Sequence, residues 1–208
     1  LSTLSAFEKE MNKVSAVGGV FGEDLKKLTA QAMMLGDTTV YSSKQAASAM
    51  GELAAAGFKT NDIYSAMPGV LSLAAVEGMK IGDAAKIAAA AINQFGFQAK
   101  DMDMIADTMA KTSSASATSV TALGNSFQYI GSVSRTTNQN FNDISAALGA
   151  LAQAGRTGES AGTALRSMLT SLQAPSKRGS EALKSLKESV YQANGQLKPM
   201  GELIRVLQ

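Results

Sequence analysis

Apolar positions recur at spacings of three and four along most of this chain, and glycines break the pattern at short intervals. Leu4, Phe7, Met11 and Val14 share one helical face and predict a helix over 4–17, ended by Gly18-Gly19. A second helix, 23–35, starts acidic and carries Leu25, Leu28 and Ala32; Gly36 is expected just past its end. Residues 37–41 read as a polar, β-branched link. Ser42 with Gln45 has the form of a capping box for a helix that runs to Ala56 and stops at Gly57. Thr60 is expected to cap a helix over 61–76, kinked or broken at Pro68 and closed by Gly78. Asp83 is expected to cap 84–95, which Gly96 closes. Further helices are predicted over 101–112, 119–130, 142–154 and 159–172, with a loop at 133–140. A charged amphipathic helix over 176–187 follows Pro175.

The period then changes. Val190-Tyr191-Gln192 and Gln196-Leu197-Lys198 flank Asn194-Gly195, which suits a type I′ turn and predicts a small hairpin. Pro199 opens a last helix over 200–207. The expected fold is mainly α: a compact multi-helix module of short glycine-capped helices with one small β-hairpin near the C-terminus. Three segments are expected. Residues 1–36 form an N-terminal amphipathic helical pair, 37–175 a helical core, and 176–208 a helix, the β-hairpin and a terminal helix.

The core carries a repeat signal. Met50-Gly51-Glu52-Leu53-Ala54-Ala55-Ala56-Gly57 matches Leu148-Gly149-Ala150-Leu151-Ala152-Gln153-Ala154-Gly155. Two readings account for it: internal duplication of a helical hairpin, or the ordinary likeness of Ala-rich helices that end in glycine. The period is far too long for a tetratricopeptide-type solenoid.

Composition narrows the function. The chain has 208 residues, enough for one domain or two small lobes. It has no Cys, which excludes disulfides and thiolate chemistry, and no His, the commonest general base and metal ligand. A net charge of +2 points to neither nucleic acid nor an anionic membrane. The eleven Met residues suit adaptable core filling, with a Met-rich partner groove as the other reading. No stretch reaches the roughly 18 apolar residues of a spanning helix, and no signal peptide opens the chain. The first residue is Leu1 rather than Met, so a piece of a longer protein is expected. Between Lys111 and Asp143 only Arg135 is charged, which reads as a subunit interface or as a hydroxyl-rich helix pair.

Three motifs suggest chemistry and fall short of it. Gly158-Glu159-Ser160-Ala161-Gly162 matches G-x-S-x-G, but a nucleophile elbow needs a preceding strand and a histidine. A helix start capped by Thr157 or Gly158 is expected instead. Asp101, Asp103 and Asp107 fail as a calcium loop, because position six is Ala106 and position twelve is Thr112. They read as first-turn acids, with Asp107 and Lys111 as an i,i+4 pair. Lys177, Arg178, Lys184 and Lys187 alternate with Glu181 and Glu188, as on a solvated helix face. No catalytic, cofactor-binding or metal-ligating residue is assigned, and no enzyme is expected.

Three stretches go beyond composition. The first is Met50 to Phe58, continuing through Ala66-Met67-Pro68-Gly69-Val70-Leu71-Ser72-Leu73-Ala74. The second is Tyr129-Ile130-Gly131-Ser132-Val133, followed by Ile144 to Ala152. The third is Ala154-Gly155, leading to Ser160-Ala161-Gly162-Thr163-Ala164-Leu165-Arg166. In this order they resemble the core region of phage tail tape measure proteins of the TP901 type. The resemblance covers roughly residues 37–208. It implies a structural protein, phage-borne or prophage-encoded, made in the host cytoplasm and housed in the lumen of the virion tail. There it organises tail-tube assembly, sets tail length and accompanies genome ejection. It implies no cofactor and no catalytic residue here. The partners implied are tail-tube and tail-tip or baseplate proteins, tail assembly chaperones, and further copies of itself as a trimer or hexamer. Sequence-specific nucleic acid is not among them, and membrane contact would come only during infection. The competing reading is a membrane-active segment that helps form a DNA-delivery channel in the host envelope, since small residues suit helix contacts in lipid.

Overall fold

The structure, a computed structural model, describes residues 2–186 and 189–207, and for Ser2 and Thr3 the backbone alone. The described residues form eleven α-helices and one 3-10 turn, Ala99–Asp101. The helices are α1 (Ser2–Gly18), α2 (Gly22–Thr38), α3 (Ser43–Ala55), α4 (Thr60–Glu77), α5 (Ile81–Phe95), α6 (Met102–Ala115), α7 (Val120–Thr136), α8 (Phe141–Gln153), α9 (Gly158–Gln173), α10 (Lys177–Lys184) and α11 (Met200–Leu207). The mainly α reading holds. The chain divides into two compact units, Leu1–Ile92 with Phe97–Asp107, and Asn93–Gly96 with Thr108–Gln208.

In the first unit α3 forms the centre. Its Ala46, Ala47, Ala49, Met50 and Leu53 are fully buried. The predicted capping box starts it: Ser42 Oγ accepts from Gln45 N–H at 3.3 Å, and Gln45 Oε1 accepts from Ser42 N–H at 2.9 Å. Gly57, at φ +91°, ends it in the left-handed region that glycine adopts without penalty. On α1 the predicted face is buried at Phe7, Met11 and Val14, whereas Leu4 is 60% exposed. Methionine acts as core filler, with Met50, Met67 and Met102 fully buried.

One glycine expectation is corrected here, and of the kink or break expected at Pro68 the break does not occur. α2 does not stop at Gly36 but continues to Thr38. A Cβ on Gly36 would meet Ser43 N at 2.5 Å, so this glycine serves the close approach of the chain entering α3. α4 runs unbroken through Pro68. A proline has no N–H to offer the carbonyl four residues back, here Tyr64. That carbonyl is satisfied from α2 instead: Gln31 Nε2 donates to Tyr64 O at 2.7 Å. Gln31 is only 4% exposed. Gln31→Ala should therefore cost about 1 kcal/mol, the net worth of one hydrogen bond. Chemical denaturation of Gln31→Ala, Pro68→Ala and the double variant checks this. Equal costs of Gln31→Ala in both backgrounds would show that the two residues are not coupled. Two N-caps also move. Helix α4 begins at Thr60, with Lys59 in the cap position and Asp62 accepting from Lys59 N–H at 3.3 Å. Asp83 lies in the first turn of α5, not before it.

In the second unit α7 and α9 pack closely. Phe95, Phe127 and Phe141 meet in a cluster, with Phe95 edge-on to Phe127 at 5.4 Å and to Phe141 at 5.0 Å between ring centroids. α7 extends past its expected end at residue 130 to Thr136. Its Ser134 is fully buried and donates to Ile130 O at 3.0 Å, which lets a hydroxyl sit inside the helix. The expected loop thereby shrinks to a turn with Asn138 at φ +54°. α10 is shorter than expected, ending at Lys184; Lys187 and Glu188 lie outside the described residues.

The predicted β-hairpin is not formed as strands. One antiparallel bridge joins Tyr191 and Leu197, supported by Gln192 N–H to Gln196 O at 2.8 Å and Lys198 N–H to Val190 O at 2.9 Å. Gly195 takes the left-handed conformation at φ +80°, but Asn194 does not, so the type I′ turn expected at Asn194-Gly195 is not formed. The second arm has no length, because Pro199 lacks a donor and α11 begins at Met200. The first arm is held by a side chain instead, as Tyr191 Oη donates to Leu172 O at 2.6 Å.

Candidate functional site

The motif that imitates a nucleophile elbow is the first turn of α9. Thr157 occupies the N-cap position without a side-chain cap bond, and Gly158 sits at φ +58°. Ser160 Oγ donates to Thr157 O at 3.0 Å. The Glu159 carboxylate raises the Tyr129 phenol above its usual pKa, first through a side-chain hydrogen bond, with desolvation and the carboxylate's charge adding to it. Ala161 is 1% exposed, and Gly162 faces the backbone of Ser126 on α7. Ser126 Oγ closes the seam by donating to Gly158 O at 2.7 Å and to Ala122 O at 3.0 Å. Ser160 Oγ and Gly158 O are thus engaged in starting α9 and fixing it to α7.

The low-charge stretch divides by face. Ser126, Ser134, Thr137, Gln139 and Ser145 are buried. The hydroxyls of the four Ser and Thr residues return to backbone carbonyls, as Ser145 Oγ does to Phe141 O at 2.7 Å, and Gln139 Nε2 donates to Thr137 O and Lys198 O. The opposite face of α7 presents Thr121, Asn125, Gln128 and Ser132, exposed and uncharged. Sequence reasoning did not separate these two sets, although Ser126 and Ser134 lie on the same helical face as Leu123 and Phe127.

The acids are dispersed in use. Asp101 Oδ2 accepts from Gln98 N–H at 2.9 Å to cap the 3-10 turn. Asp103 lies beside Gly69 of α4. Among the described residues no group of three acids gathers as a metal site would require. The expected Asp107–Lys111 ion pair is not formed. Ion pairs among the described residues include Lys13 and Lys86 with Glu52, Lys26 with Glu23, and Lys86 with Asp83. The basic residues of α10 are solvated, since none of its side chains is buried.

One concave feature was missed by sequence reasoning. Ala147 and Leu151 of α8, Ala164, Leu165 and Met168 of α9, and Ile204 of α11 line an apolar groove of about 320 Å³. Two of them belong to the Ala-Gly-Thr-Ala-Leu-Arg stretch that carries the family resemblance. The small side chains Ala147 and Ala164 were the available signal, because they leave room between neighbouring helices. No helix among the described residues is long and apolar enough to cross a membrane.

What this arrangement does is bring helices together through glycine, alanine and hydroxyl contacts; it defines an all-helical packing module. Comparison with known proteins places it. The family of phage-related minor tail proteins matches residues 29–208, and the chain belongs to that family. The tape measure protein of Pneumococcus phage Dp-1 is 34% identical over 201 residues, 97% of this chain and 18% of the relative. A protein of Escherichia phage P2 described as a probable tape measure protein is 27% identical over 204 residues, 97% of this chain and 25% of the relative. The chain therefore spans a quarter or less of these relatives. No solved structure matches it.

Proposed function

We propose that this chain is a folded, non-enzymatic segment of a tail tape measure protein, working in the phage tail lumen. It organises assembly of the tail tube, contributes to setting tail length and leaves with the genome at infection. The observation that carries this reading is the match of nearly the whole chain, 97%, to two proteins described as tape measure proteins. The lengths of the helices refine it. A measuring rod is best built as a long continuous helix, rising about 1.5 Å per residue. Here the longest helix among the described residues is α4, with 18 residues. The segment therefore serves as a folded anchor, with the rod elsewhere in the parent protein. Its partners in this role are tube and tail-tip proteins.

The test uses the phage that encodes the parent gene. Gly162→Leu, which disrupts the α7–α9 seam, is expected to abolish assembled tails seen by electron microscopy. Ser160→Ala is expected to leave tails and plaques unchanged. Normal tails with Gly162→Leu would contradict the assembly role. Loss of infectivity with Ser160→Ala would point to chemistry at that serine.

A further inference from the structure

The duplication suggested by two short stretches of sequence extends through the helices. α2 (Gly22–Thr38) and α7 (Val120–Thr136) begin and end at an offset of 98 residues. So do α3 (Ser43–Ala55) and α8 (Phe141–Gln153), while Thr60 and Gly158 begin α4 and α9 at that same offset. The details repeat as well. Ser42 and Asn140 cap α3 and α8, each accepting from the N–H three residues on. Gly57 and Gly155 end those helices at φ +91° and +81°. Buried positions coincide, as in Ala49 with Ala147, Met50 with Leu148, Met67 with Leu165 and Leu71 with Leu169. The copies have diverged at their ends, where α5 has 15 residues and its counterpart α10 has eight.

The same offset relates α1, α6 and α11. Leu4, Met102 and Met200 correspond, as do Phe7, Ile105 and Leu203, and Met11, Met109 and Leu207. Each of these helices has an upstream and a downstream half. The upstream half of α6 is covered, with Met102 fully buried against Gly69 of α4. The upstream half of α11 is covered in the same way, with Met200 at 1% exposure beside the groove of α8 and α9. In α1 the matching Leu4 is 60% exposed.

The downstream halves show the complement. In α1 it lies on α3, where Gly51 faces Lys13 and Val14. In α6 it lies on α8, where the corresponding Gly149 faces Thr112 and Ser116, and Thr108 Oγ1 donates to Asn142 Oδ1 at 2.9 Å. Met11 and Met109 are accordingly buried, at 5% and 0% exposure. In α11 the matching Leu207 is 43% exposed.

We infer that the chain is built from two copies of one five-helix unit, that α11 is the first helix of a third, and that its bare downstream half is a docking surface for that unit. The occupant is a helix equivalent to α3 and α8, with a glycine at the place of Gly51 and Gly149. Both relatives extend well beyond the matched stretch, which leaves room for such a unit in this family. In a tandem array each unit is stabilised by its neighbour's interface.

The test is a chain in which residues 110–207 are appended directly after Leu207, which continues the register of α6. The extended chain should unfold in one cooperative transition above that of the 208-residue chain. Amide exchange near Leu207 should slow by about 100-fold or more. Leu207→Asp should leave the 208-residue chain unchanged and reverse both effects in the extended one. Inserting one residue after Leu207, which turns the helix face by about 100°, should do the same. An appended segment that melts separately or stays unfolded would overturn the inference. So would an extended chain that Leu207→Asp leaves unaltered.

Discussion

Gly162→Ala is expected to destabilise the protein by about 1–2 kcal/mol, although alanine is the better helix former. A Cβ at this position would run into the Ser126 carbonyl oxygen and approach Ser126 Cα to 2.9 Å. The obstacle is backbone, which cannot rotate away as a side chain can. It is also pinned by the bond from Ser126 Oγ to Gly158 O. Overpacking of this kind costs about 1–3 kcal/mol, and here it outweighs the gain of up to ~1 kcal/mol in helix propensity. For a chain of this size the loss corresponds to roughly 2–8 °C in melting temperature. Gly51→Ala is the internal comparison. Its Cβ would meet only Lys13 and Val14, at 3.8–3.9 Å, in ordinary contact. That variant should be neutral or more stable by up to ~1 kcal/mol. Thermal unfolding followed by circular dichroism distinguishes the two; equal responses would mean that the α7–α9 seam is not as tight as described.

Phe127→Ala should be the most damaging side-chain truncation, at about 3–5 kcal/mol. Phe127 is 1% exposed and lies at the meeting point of Phe95 and Phe141, 5.4 and 4.9 Å from their centroids. In a chain with no tryptophan and seven phenylalanines, three of them meet in this cluster, and few other side chains could fill the cavity. Phe127→Leu should recover much of the loss by restoring volume without the ring pairs. Denaturant titration gives both values. A cost below ~1 kcal/mol for Phe127→Ala would show that the cluster is not part of the folding core.

Much of the architecture was legible because local signals and packing agree. Ser42 with Gln45, Gly57, Gly78 and Gly96 all act as their chemistry suggests. The misreadings share a cause, which is an interaction that the local pattern of the segment does not carry. Gly36 looks like a stop signal locally, but its missing side chain is used by Ser43. Pro68 looks like a break, but Gln31, distant in sequence, supplies the donor that the Tyr64 carbonyl lacks. Val190 to Lys198 has the alternation and turn of a hairpin, but Pro199 truncates one arm and Tyr191 is drawn to Leu172. The interaction surfaces were less legible than the helices. The groove beside Ile204 needs three helices to exist, and neither periodicity nor composition brings them together. The repeat was visible only where alanines and glycines coincided; elsewhere it survives as helix lengths, caps and buried positions rather than as identities.

The most direct test of the functional account is tail length. In the phage carrying the parent gene, an in-frame deletion outside this segment should shorten the tail by about 1.5 Å for each residue removed, with this segment intact as the folded anchor. Tails of normal length would contradict the tape measure reading, and such tails failing to deliver DNA would transfer the role to genome passage across the host envelope.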